Sequence, residues 1–83
     1  MSRFPAGEDD QLSRYHINVF YSAEDRAWVA DIPDLQYCSA LGPSPEQAVA
    51  EVEKARELWL EVARAEGRTI PRPIYRPATA PAL

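Results

Sequence analysis

Chemistry-bearing residues are scarce in this chain of 83 residues, which has one histidine, one cysteine and three glycines. With His16 the sole histidine, histidine-rich metal sites are excluded, and the residue reads as a strand position on the less buried face. Cys38 alone cannot form an internal disulfide. It lies among Tyr37, Ser39 and Ala40 with no basic neighbour in sequence to favour a thiolate, so a buried structural thiol is expected. No apolar run approaches the roughly 20 residues needed to span a bilayer, and no signal-like apolar segment precedes Tyr15. A soluble, cytoplasmic protein without membrane contact is therefore the expectation. Glycine is too rare for a phosphate loop: Gly42-Pro43-Ser44-Pro45 precedes a helix, but its prolines remove N–H donors.

Acid is what the chain has in excess. Thirteen acids against nine bases give a net charge of −4. The stretch from Glu24 to Glu66 holds ten acids and four bases, whereas Arg68 onward holds three arginines and no acid. Such a surface repels nucleic acid and attracts basic partners. A chain this short forms one domain and hides only about 60–65% of the surface that its unfolded form exposes, so association would stabilise it.

The pattern along the chain predicts a β-β-β-α order. Residues 1–14 read as a flexible leader, 15–77 as the folded domain and 78–83 as a flexible tail. From Tyr15 the apolar residues alternate, with Tyr15, Ile17, Val19 and Tyr21 on one side and His16, Asn18 and Phe20 on the other. A polar break at Ser22-Ala23-Glu24-Asp25 gives a hairpin, and the strand from Arg26 to Ile32 returns with Trp28, Ala30 and Ile32 on one face. Pro33 ends that ladder for want of an N–H, and Gln36 to Leu41 form a third short strand. Ser44, Pro45 and Gln47 supply a cap, a first-turn proline and a capping-box partner for a helix from Pro45 to Glu66. Its apolar stripe runs through Ala48, Val52, Ala55, Trp59 and Val62, joined by Val49, Leu58 and Ala63. Gly67 provides the left-handed end. Three prolines between Arg68 and Pro77 forbid a second helix and leave room for a short final strand around Ile74 and Tyr75. The fold expected is α+β: an antiparallel sheet of three to four strands with one long helix on one face.

No catalytic, metal or cofactor site is legible. Asp31 and Asp34 invite comparison with paired acids of a two-metal nuclease, but Asp34 follows Pro33 on a turn and no third acid stands beside them. They read as surface turn residues. Trp28 and Trp59 suit either core packing or an interface, and packing of helix against sheet is the simpler reading. One helix covers one sheet face, yet Phe20, Ala27 and Val29 make the other face apolar as well. Exposed apolar surface of that kind marks an interface, so self-association, binding of a partner protein, or both are expected, with these three residues as the surface that would join copies of the chain as a dimer or tetramer.

Several spaced elements together resemble the HicB family of antitoxins: Trp28 to Leu35 closing in Ile-Pro-Asp-Leu, then Cys38, Gly42 and Ser44, the helix with Ala48, Ala55 and Trp59, Gly67, and Ile70-Pro71-Arg72-Pro73. The match covers roughly residues 15–73. It implies a partial ribonuclease-H-like fold lacking that fold's metal-binding acids, and a non-catalytic antitoxin of a type II toxin-antitoxin pair. The partner it implies is a small basic HicA-like toxin that cleaves messenger RNA. Tyr21, Glu24, Asp25, Asp31 and Asp34, acids beside an aromatic, are the expected contacts. Two features depart from the family. Gln36-Tyr37 replaces the usual Pro-Gly before the cysteine, so Asp34 is expected to hydrogen-bond the backbone and make the turn differently. Nothing after Gly67 reads as a DNA-binding module, so no direct DNA contact is expected. The alternative reading is a stand-alone homo-oligomeric scaffold or small-ligand-binding domain of the same fold with no toxin.

Overall fold

Prolines and small residues punctuate the chain into short elements, and the computed structural model, which describes residues 14–76, shows four of them. Strands β1 (Asn18–Ser22), β2 (Ala27–Asp31) and β3 (Ser39–Gly42) precede the helix α1 (Pro45–Ala65). The sheet is an antiparallel meander in the order β1-β2-β3. The fold is therefore α+β, three strands and then one long helix. The expected tail, and the leader apart from Arg14, lie outside the described residues.

Register follows from two short connections. In the first hairpin Ser22 pairs with Ala27 and Phe20 with Val29. The Ser22 hydroxyl donates to the Asp25 carboxylate at 2.9 Å and accepts the Asp25 N–H at 3.2 Å across Ala23-Glu24, and Arg26 follows with φ 53°. Between β2 and β3 the chain makes two successive four-residue turns. Leu35 N–H donates to Ile32 C=O at 3.0 Å across Pro33-Asp34, and Cys38 N–H donates to Leu35 C=O at 3.0 Å across Gln36-Tyr37. Ile32 N–H, donating to Cys38 C=O at 2.9 Å, closes the whole. The second turn requires a positive φ at its third residue, and Tyr37 supplies it at 65°. Asp34 does not make this turn. Its two carboxylate oxygens both lie 3.2 Å from the Tyr75 N–H, which ties the turn to the C-terminal segment.

Helix α1 begins and ends as its sequence dictates. The Ser44 hydroxyl accepts the Gln47 N–H at 3.1 Å, with Pro45 in the first turn. At the other end Gly67, at φ 71°, donates to Arg64 C=O at 3.1 Å while Arg68 donates to Ala63 C=O at 2.8 Å. That pair of bonds is a Schellman cap.

The core lies between α1 and one sheet face. Ala30, Ile32, Leu35, Cys38, Ala48, Val52 and Leu60 are buried there together with Tyr15, and Trp28 and Trp59 pack against them. The helix lies chiefly over β3 and β2 and touches β1 least. Small residues explain the offset. Ala30 and Ala40 are cross-strand partners, Gly42 follows, and a β-carbon on Gly42 would stand 2.7 Å from the Ala48 nitrogen. Only glycine lets strand and helix backbones approach so closely.

Other sequence expectations change. The third strand runs Ser39–Gly42 rather than Gln36 to Leu41, because Gln36 and Tyr37 lie in the turn. The first strand starts at Asn18 rather than Tyr15, because Tyr15 turns into the core and its hydroxyl donates to Pro71 C=O. Residues 70–76 are irregular, with no short strand at Ile74 and Tyr75. The helix buries Ala48, Val52, Leu60 and Ala63, whereas Leu58 and Val62 of the expected stripe stay 60% and 41% exposed. Apolar residues surround more of α1 than three strands can cover.

Candidate partner-binding surfaces

The sheet's second face carries an apolar row. Phe20 faces Val29 and Val29 faces Leu41, one residue from each strand. Phe20 is 49% and Leu41 52% exposed. Ala27 shares this face, as do Asn18, Asp31 and Ser39 by the alternation of each strand. Phe20, Ala27 and Val29 are thus brought together, and Leu41 joins them. Leu41 was missed in sequence because its partner in the row depends on a register set by the Tyr37 turn.

A second apolar surface lies on the helix side. A groove of about 310 Å³ is lined by Tyr37, Cys38, Ala55, Leu58, Trp59 and Val62, with Arg68 at its end. Trp59 is fixed there because its Nε1–H donates to Gln36 C=O at 2.9 Å, joining the helix to the turn. Tyr37 stands beside it 92% exposed. Left-handed backbone costs a non-glycine residue roughly 1–2 kcal/mol, so a bulky aromatic is held in the open at an energetic cost. On α1 the five acids Glu46, Glu51, Glu53, Glu57 and Glu61 are all exposed. They face three bases, Lys54, Arg56 and Arg64. The ion pairs Lys54–Glu51 at 3.4 Å and Arg56–Glu57 at 3.6 Å leave a net acidic helix.

The expected contact residues divide among these surfaces. Glu24 and Asp25 sit together, exposed, at the hairpin tip. Tyr21 lies on the helix side of the sheet, opposite Trp28, with ring centroids 5.5 Å apart at 70°. Asp31 lies on the other face, and Asp34 is engaged by Tyr75. His16 Nε2 is 2.7 Å from Asn18 Oδ1, and its ring is 5.2 Å from that of Tyr75. Burial raises the Cys38 thiol pKa, with Arg56 opposing and Asp31 adding to the shift. Tyr15 is likewise raised by burial and then by Asp34, against Arg56 and Arg64. Among the described residues no three His, Cys, Asp or Glu side chains group as metal ligands. No helix among them is long and apolar enough to cross a membrane.

With this geometry in place, comparison with known proteins gives a curated relative. The chain is 34% identical over 53 residues to the UPF0150 protein ssl0259 of Synechocystis sp., a match spanning 64% of this chain and 73% of that protein. The chain belongs to the UPF0150 family. No family model matches this UPF0150 chain, and no solved structure matches it either.

Proposed function

We propose that this protein is a non-catalytic, cytoplasmic antitoxin that binds and masks a small basic, HicA-like ribonuclease without itself contacting DNA. The observation that carries the reading is Tyr37: a nearly fully exposed tyrosine, in a strained backbone, beside an apolar groove on an acidic helix. Strain of this kind concentrates where a side chain must be presented, and tyrosine and tryptophan dominate binding hot spots. The net acidic charge of α1, five exposed glutamates against three bases, suits a basic occupant. HicB-like spacing over residues 15–73 supports the same class of partner.

On this reading Tyr37, Leu58, Trp59 and Val62 anchor the toxin and Glu57 and Glu61 steer it. The hairpin acids Glu24 and Asp25 lie on a different part of the molecule. Co-expression with a small basic ribonuclease encoded beside this gene tests the proposal. Relief of growth arrest, lost in Tyr37→Ala, is expected; arrest that persists beside the wild-type protein overturns it.

A second reading has its own support, because the row Phe20, Val29 and Leu41 is left uncovered by the described residues. It is a homo-oligomer, acting with or without a toxin as a scaffold or small-ligand-binding domain. Light scattering across a wide concentration range tests it, and a strict monomer removes it.

A further inference from the structure

Strand β1 is exposed in three directions. Its outer edge pairs with no strand among the described residues. Phe20 is open on the face away from the helix. On the helix side Val19 and Tyr21 remain 38% and 52% exposed, because α1 lies over the other two strands. An edge strand presents unpaired N–H and C=O groups and is normally protected by charge, proline or a bulge. Asn18-Val19-Phe20-Tyr21-Ser22 has none of these.

We infer that β1 pairs antiparallel with β1 of a second copy, with Phe20 on the twofold axis. This specifies the self-association reading given above and rests on it. Phe20 is the middle residue of the strand, so only this register uses all five residues of both copies. Residues directly opposite in an antiparallel pair point to the same side. The two apolar rows then fuse into one stripe across six strands, Leu41, Val29 and Phe20 meeting Phe20, Val29 and Leu41 of the second copy. On the other side Val19 meets Tyr21 of the second copy, and both helices remain free. Charge agrees with the register. The exposed Glu24–Asp25 tip of each hairpin is carried to the end where Arg14 of the other copy leads into β1. The interface is isologous, as expected of a twofold dimer.

Disulfide trapping tests the pairing. Opposed residues in such a pair have Cα atoms about 4.5 or 5.5 Å apart, within the range that a disulfide spans, and native Cys38 is buried and serves as background. Phe20→Cys should give a cross-linked dimer on mild oxidation, while Leu41→Cys on the far strand should not. Phe20→Lys, at a half-exposed position, should raise the concentration for half-dimerisation by about tenfold or more, since like charges then face each other across the axis. A wild-type dimer in which Leu41→Cys links and Phe20→Cys does not overturns edge pairing and leaves self-association standing through stacked faces. A wild-type chain that stays monomeric at every concentration overturns both.

Discussion

Tyr37 occupies a backbone conformation that glycine adopts without a side-chain penalty. Tyr37→Gly should therefore raise stability by about 0.5–1 kcal/mol, the relief of left-handed strain less the greater freedom glycine gives the unfolded chain. A higher urea midpoint checks this, and partner capture should fall in the same variant. Positive φ at a tyrosine was invisible in the sequence, which has no glycine to mark the turn. Gly42 is the opposite case, its need set by the 2.7 Å approach of Ala48. Burial at Cys38 and Tyr15 gives the fold an alkaline limit. Each keeps its proton in the folded state beyond the pH at which the unfolded chain loses it, so the unfolded state binds fewer protons there. Stability is full below the ordinary thiol value of 9.0, falls as pH rises through the raised Cys38 value, and falls again above 10.0 as Tyr15 contributes. Urea midpoints at rising alkaline pH should show this decline, with its first part missing in Cys38→Ala.

At the scale of the element, the caps of α1 were legible because they depend on neighbours in sequence. Ser44, Pro45 and Gly67 act within a turn of where they stand. Ser44→Ala should cost about 1 kcal/mol, read as a lower melting temperature. The helix's buried face was less legible. Periodicity grouped Leu58 and Val62 with the core and passed over Leu60, because apolar residues span more than one side and only the width of the sheet decides which are covered. Leu60→Ala should accordingly cost about 2–5 kcal/mol, while Leu58→Ala at 60% exposure should stay within about 0.5 kcal/mol. Paired thermal melts check the contrast, and equal losses would mean that the groove is closed in solution.

Across the whole molecule, strand order and the α+β class followed from short connections that only reverse direction. The division into surfaces did not. Tyr21 and Asp31 are ten residues apart in sequence yet lie on opposite sheet faces, and Asp34 is drawn away by Tyr75, a contact 41 residues distant. What emerges is a small acidic domain with one apolar row on its sheet and one apolar groove on its helix. On the proposed reading the row and the β1 edge take a second copy and the groove takes a basic protein.

Inhibition of RNA cleavage tests that assignment most directly. A small basic ribonuclease encoded next to this gene, which the proposed function requires, is titrated with the wild-type protein and with a Tyr37→Ala, Leu58→Ala double variant of unchanged melting temperature. Stoichiometric inhibition by wild type and an inhibition constant about tenfold or more weaker for the variant are predicted. Equal inhibition by both proteins, or none by either, would contradict it.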